Sequence, residues 1–306
     1  MPSHQIMQIA ESLYNRGIIS YPRTETEIFN ETMDLKSLVQ VQMSSPEWGQ
    51  FAAKLLHNDG FEWPRSGSRN DQAHPPIHPV RALSKSELND DEWKVYKSVC
   101  THFLAACSAD AKGETTDVDI HMGEELFHKS GLVVTDPCFL EVYREFDNWE
   151  RRNDSFPAVF EEGESIPASG LELNQGRTTA PNLLTETELI SLMDKHQIGT
   201  DATMHEHIRT VQTRQYVERV PPSSFRPTVL GTALYVGISR ACPELTSPQL
   251  RANTERSIAA IADGTLNPMD CTQDIIRSYV ASYERLGASL IDIENCLSQW
   301  LNVRTN

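Results

Sequence analysis

The chain has no uninterrupted apolar run approaching the roughly twenty residues of a bilayer-spanning helix, and its mean hydropathy is −0.43, so no membrane span is predicted. Nor does it open with a charged segment followed by an apolar one, so neither secretion nor a membrane anchor is expected. Cysteine is sparse. Cys100, Cys107, Cys138, Cys242, Cys271 and Cys296 lie far apart with no C-x-x-C spacing. That pattern excludes a zinc ribbon and reads as reduced thiols in a soluble, intracellular protein. The phosphate-cradling and nucleophile-elbow patterns G-x-x-x-x-G-K-[ST], G-x-G-x-x-G and G-x-S-x-G are missing, as is a D-x-D after an apolar strand, so nothing supports ATP use. Positive charge is also short: 27 Lys and Arg face 43 Asp and Glu, a net charge of −16. An acidic chain repels phosphate backbones, so the first expectation runs against a nucleic-acid partner.

The acidity is uneven. Residues 1–80 carry a net −3, residues 81–176 carry −11 and residues 177–306 carry −2. Both ends of the chain are therefore close to neutral and can be locally basic. Between Lys195 and Arg226 five Lys or Arg stand against three acids, with His196, His205 and His207 added. At 39% hydrophobic, the 306 residues can form two or three domains with cores of their own.

Ile6, Ile9, Ala10 and Leu13 recur at helical spacing between Ser3 and Arg16, with Ser3 as a candidate N-cap and Gly17 as a stop. Ile18 and Ile19 read as a short buried strand running into Ser20-Tyr21-Pro22-Arg23, held extended by the proline. Helices are predicted over Pro46–Leu56, Glu92–Ala111, Thr185–His196, Pro248–Ala262 and Asp270–Trp300, with another from Met204. The Thr185–His196 helix carries a Thr-x-x-Glu capping box. From Glu114 to Glu172, short β-rich segments such as Val118–Ile120 alternate with turn residues. A polar stretch, Asn174–Pro181, separates them from the final helical region.

Tyr21 and Arg23 form the sharpest local feature. A tyrosine hydroxyl titrates near pH 10, so it becomes a nucleophile only with help from positive charge and a base or metal. Arg23, two residues on in an extended segment, projects to the same side and offers the planar fork that suits a phosphate. Taken alone, a half-buried tyrosine beside a surface arginine is the commoner meaning of such a pair. His74 and His78 have H-x-x-x-H spacing, but the prolines between them forbid the helix a metal site would need. His74 is better read as an anion contact or a solvated loop residue. Gln197-Ile-Gly-Thr-Asp-Ala-Thr203 places a glycine and small hydroxyls before a helix start, which suits either a phosphate or an ordinary cap.

Gly17-Ile-Ile-Ser-Tyr-Pro-Arg-Thr-Glu-Thr26 resembles the active-site segment of type IA DNA topoisomerases, in the topoisomerase III branch. Further segments resemble that family in the same order: Asp71-Gln-Ala-His-Pro-Pro-Ile-His-Pro79, Ile198-Gly-Thr-Asp-Ala-Thr203 with Glu206-His-Ile208, Pro227-Thr-x-Leu-Gly231, and Leu250-Arg-Ala252. The resemblance implies a tyrosine that breaks single-stranded DNA through a transient 5′-phosphotyrosyl link, without ATP, so that another strand can pass. Tyr21 falls on the nucleophile, with Arg23 and His74 on residues near the scissile phosphate. Thr24, His78, Gly199, Thr200, Asp201, Thr203 and His207 fall on segments implied to contact DNA.

The family's Toprim domain, which holds Mg2+ through an acidic cluster, is expected to be absent, since the chain starts 20 residues before Tyr21. By itself the chain is then expected to cut DNA feebly or not at all. Gln197 stands where the family usually has glycine, His205 where it has alanine, and Thr232–Tyr235 departs from the usual Met-Gly-Leu-Val. The implied architecture is multidomain α/β (α+β): a winged-helix-like domain over 1–113 bearing Tyr21, a β-rich arch over 114–176, and a mainly helical single-strand groove domain over 177–306. Single-stranded DNA, a RecQ-type helicase and an OB-fold protein are the implied partners, in the nucleus and also in mitochondria. A non-catalytic DNA-binding remnant and a partner-binding scaffold remain as alternatives.

Overall fold

The computed structural model describes residues 1–57, 60–144, 162–199 and 203–302. It divides into two compact units, one spanning Ile6–Thr178 and the other Thr179–Asn306 together with Met1–Gln5.

The first unit is built around helix α1 (Ser3–Asn15), which buries Ala10 and Leu13 while Ile6 stays exposed. Ser3 is the first helical residue rather than the cap, and its amide donates to Glu186 Oε1 at 3.0 Å within the other unit. Gly17, at φ +67°, stops the helix. The Ile18 amide bonds the Leu13 carbonyl at 3.0 Å and the Gly17 amide bonds that of Tyr14 at 2.8 Å, the paired closure that a left-handed residue permits. The chain then reverses into buried Ile18 and Ile19, which pair antiparallel with the segment around Pro79. Val80 N–H donates to Ile18 O and Ser20 N–H to His78 O, both at 2.9 Å. The prolines at 75, 76 and 79 have no N–H to donate, which limits this pairing to a bridge.

Helices α2 (Leu35–Gln42), α3 (Gly49–His57) and α4 (Asp90–Ala106) complete the unit's core with Val39, Trp48, Leu55, Trp93, Tyr96 and Leu104. Helix α4 starts at a capping box formed by Asn89 and Glu92. The β-rich segment forms one long antiparallel hairpin, β1 (Lys112–Met122) with β2 (Glu125–Asp136), turning at Gly123. Its residues are exposed or half-buried throughout except for Gly131.

In the second unit, α5 (Glu186–Lys195) and α6 (Met204–Thr213) are followed by a hairpin, β3 (Val217–Val220) with β4 (Ser224–Pro227). Met193, Met204, Ile208 and Phe225 form their shared core. The family resemblance implies a winged-helix-like domain in the earlier stretch 1–113. Among the described residues of that earlier stretch there are bridges at Ile19–Pro79 and Phe61–Ser108 but no paired strands before β1. Then come α7 (Val229–Ala241), α8 (Pro248–Ala262), α9 (Pro268–Ala288) and α10 (Leu290–Asn302). The single helix expected over Asp270–Trp300 is thus two, broken at Ser289, whose amide doubles back onto the carbonyls of Arg285 and Leu286 at 3.2 Å. No helix among the described residues is long and apolar enough to cross a membrane.

Candidate active site

The Ile18–Ser20 and His78–Val80 pairing brings two distant motifs together. Tyr21 leaves that bridge half-buried, and its ring stacks on His74 with centroids 4.4 Å apart and planes at 29°. Tyr14, the penultimate residue of α1, meets Tyr21 edge-on at 5.3 Å. The phenol therefore sits between a histidine face and a tyrosine edge, two contacts that fix its ring.

His74 is itself held from behind. Asp71 Oδ1 accepts the amides of Ala73 and His74, each at 2.8 Å, while Asp71 Oδ2 lies 3.3 Å from His74 Nδ1. Thr24 donates its hydroxyl to the same Oδ2 at 2.9 Å, and Thr26 Oγ1 accepts the Asp71 amide at 3.0 Å. The His74 and Ala73 amides hold the Asp71 carboxyl well below the usual carboxylate range, with the Thr26 and Thr24 hydroxyls adding to the effect. An ionised Asp71 accepts from His74 Nδ1–H, which fixes the orientation of the ring. Arg23 donates through Nε to Glu11 Oε1 of α1 at 2.5 Å, which ties the guanidinium stem to the helix carrying Tyr14.

The structure thus gathers Tyr21, Arg23, Thr24 and His74 on one face of the first unit. Thr24 is buried, with its hydroxyl on Asp71. His78 is placed differently from the sequence expectation. Only 6% exposed, it packs against Phe29 and Phe103, and its Nδ1 bonds the Pro76 carbonyl at 2.7 Å. Burial depresses its pKa, opposed by the Pro76 bond, so His78 is a neutral core residue. Reading the sequence alone missed Asp71 and Glu11. The D-x-x-H spacing of Asp71 and His74 was the available signal for the first.

In the second unit, Gly199 has φ +78°, and a Cβ there would lie 3.0 Å from Thr203 Oγ1 and 3.2 Å from His207 Cδ2. Gly199, Thr203 and His207 are therefore neighbours at the start of α6. Thr200 and Asp201 lie outside the described residues. The Pro227–Gly231 motif has a structural explanation. Thr228 caps α7 by accepting the Gly231 amide at 3.0 Å, and a Cβ on Gly231 would overlap the Tyr216 carbonyl.

The sequence model of a family described as DNA topoisomerase matches residues 1–273. The chain belongs to the DNA topoisomerase family. DNA topoisomerase 3 of Caenorhabditis elegans is 41% identical over 99% of this chain and 39% of its own length. DNA topoisomerase 3-alpha of Homo sapiens is 40% identical over 97% of this chain and 29% of its own. The chain thus spans well under half the length of these relatives. The solved structure of full-length topoisomerase I from Thermotoga maritima superposes with a TM-score of 0.73 over 91% of this chain and 46% of that one, at 20% identity, and shares the fold.

Within the topoisomerase family, two departures acquire a physical meaning. Gln197 has φ +54°, the left-handed conformation that glycine adopts without steric cost. His205 is buried to 6% exposure beside Glu206 at the start of α6.

Proposed function

We propose that this chain supplies the nucleophile and part of the strand-binding surface of a type IA, topoisomerase III-like enzyme. The observation that carries the reading is the Tyr21–His74 stack with Asp71 behind it and Arg23 two residues on. Tyr21 Oη attacks the phosphorus of a phosphodiester in single-stranded DNA. The P–O3′ bond breaks, a 5′-phosphotyrosyl bond forms, the phenolic proton is lost and the departing 3′-oxygen takes up a proton. The number of phosphoester bonds is unchanged, so the 3′-hydroxyl can reverse the step after strand passage without ATP. Arg23 pairs with a phosphate oxygen, and His74 hydrogen-bonds the same group through Nε2.

Magnesium belongs to the family's chemistry, where it neutralises the phosphates. Among the described residues no three His, Cys, Asp or Glu side chains converge to hold an ion, so no step here is routed through it. Gly199, Thr203 and His207, with the Thr200 and Asp201 between them, fit a role in lining the path of the single strand, at a helix start in a locally basic segment. A RecQ-type helicase, an OB-fold partner, and nuclear and mitochondrial placement belong to the same proposal.

The deciding experiment incubates the full-length protein with magnesium and end-labelled single-stranded DNA, then traps covalent adducts in detergent. A 5′-linked adduct that disappears in Tyr21→Phe supports the reading. Equal adduct in the variant, or salt-sensitive binding with no adduct in either protein, overturns it and favours a non-catalytic strand binder.

A further inference from the structure

The segment that bears Tyr21 runs back along the helix that precedes it. Gly17 reverses the chain, so Tyr21 and then Arg23 retrace α1 from its C-terminal end. Tyr14 and Glu11, three residues apart and therefore on one face of the helix, meet them in that order. Tyr14 takes the Tyr21 ring edge-on at 5.3 Å, and Glu11 Oε1 accepts from Arg23 Nε at 2.5 Å. One helix face thus holds both residues that the cleavage reading places at the phosphate.

That face is fixed from behind. Ala10 and Leu13 are buried in the core, and Arg16 Nη1 donates to Glu92 Oε1 of α4 at 2.8 Å. Glu92 is held in turn by its capping box, where Oε2 accepts the Asn89 amide at 3.1 Å. A carboxylate carried by such a helix moves only through its own side-chain torsions. The Arg23–Glu11 pair is also sheltered. Its side chains are 26% and 37% exposed, against 85% and 65% for the Arg65–Asp110 pair of the same unit. Fully exposed pairs seldom hold a geometry, whereas a sheltered one can.

The nitrogen that Glu11 engages matters as well. Nε lies next to the stem of the side chain, so a carboxylate bound there fixes the plane of the guanidinium. That plane decides where the outer Nη edge, the part that forks onto phosphate oxygens, is aimed.

We propose that Glu11 is a positioning residue that aims Arg23 at the phosphate attacked by Tyr21. This inference rests on the reading of Tyr21 as the nucleophile and Arg23 as its phosphate contact. Glu11 acts through Arg23 alone. As an acid beside an anionic strand it opposes capture of DNA, so its removal slows cleavage without weakening binding. That split separates aiming from general support of the fold.

The test is a double-mutant cycle over Glu11→Ala and Arg23→Ala in the full-length protein, with thermal melting to confirm that each variant is folded. Adduct formation on end-labelled single-stranded DNA with magnesium is followed in a single turnover, and affinity is measured separately. Glu11→Ala should slow the adduct by about tenfold to a hundredfold, the cost of misplacing a group at the reacting centre, with affinity unchanged or higher. Glu11→Gln, which keeps an oxygen for Nε, should recover most of the rate. In the Arg23→Ala background, Glu11→Ala should change the rate by less than about twofold. Equal slowing in both backgrounds overturns the proposal, as does a Glu11→Ala rate equal to that of the parent protein.

A second arm needs no cleavage. Tyr21→Phe protein is titrated with oligonucleotides in which one phosphate is replaced by an uncharged methylphosphonate, walked along the strand. An aimed Arg23 makes one linkage special, so affinity should drop by about tenfold at a single position, the worth of one charge-assisted contact. The drop should vanish in Glu11→Ala and return in Glu11→Gln. A drop that persists in Glu11→Ala, or equal affinity at every position, overturns the proposal. If the drop behaves as expected while the parent protein forms no adduct, the aiming of Arg23 stands and the assignment of Tyr21 as nucleophile falls.

Discussion

The rings of Tyr21 and His74 lie face to face at 4.4 Å although 53 positions separate them in sequence. Tyr21→Phe keeps that ring and removes only the oxygen. The variant should melt within about 1 °C of the parent protein, since a half-exposed hydroxyl contributes little to stability. It should retain affinity for single-stranded DNA and form no covalent adduct, as gel analysis under denaturing conditions would show.

Asp71→Asn isolates the support behind His74. The asparagine oxygen can still accept the Ala73 and His74 amides, but its NH2 group cannot accept from Thr24 or from His74 Nδ1–H. Cleavage should slow by about tenfold to a hundredfold, as expected for losing the orientation of a catalytic histidine. The pH–rate profile should move with it, while the melting temperature changes little. A rate equal to that of the parent protein would remove Asp71 from the mechanism.

His78 predicts an acid weakness. Its folded pKa lies below the ordinary value of 6.5 because burial disfavours the imidazolium. The unfolded chain therefore takes up the proton first, so this residue's contribution is complete above about pH 6.5 and declines as pH falls toward the folded pKa. Melting temperatures measured from pH 7.5 down to 5 should fall for the parent protein. They should fall less steeply in His78→Asn, whose amide can still donate to the Pro76 carbonyl but does not titrate.

Gly231→Ala tests whether the Pro227–Gly231 motif is structural. The new methyl would overlap the Tyr216 carbonyl, and backbone cannot move aside as cheaply as a side chain. A cost of about 1–3 kcal/mol is expected from overpacking, read by denaturant titration, with affinity for DNA unchanged in the surviving folded fraction.

Local patterns carried most of the secondary structure. The capping boxes at Asn89 and Thr185, the stop at Gly17 and the proline start of α8 are signals within four residues of the boundary they mark. The break at Ser289 was invisible because Gly287-Ala-Ser289 interrupts neither the apolar periodicity nor the polarity of its flanks. The site was legible as motifs but not as a network. Thr24 and Asp71 are 47 positions apart, and Arg23 and Glu11 are joined only because the chain reverses at Gly17. His78 shares the spacing and composition of His74, and only the placement of Phe29 and Phe103 turns one histidine inward while the other faces Tyr21.

On the proposed reading, the bridge between Ile18–Ser20 and His78–Val80 also constrains how a DNA end joined to Tyr21 could travel. Tyr21 is one residue from a backbone clamped on both sides, its ring is held by Tyr14 and His74, and the preceding isoleucines are rooted in the core. A phosphate joined to that phenol has no soft tether to swing on. If Tyr21 is the proposed nucleophile, a large displacement of an attached end has to carry the Ile18–Ser20 bridge and the core behind it rather than swing on the loop that bears the tyrosine.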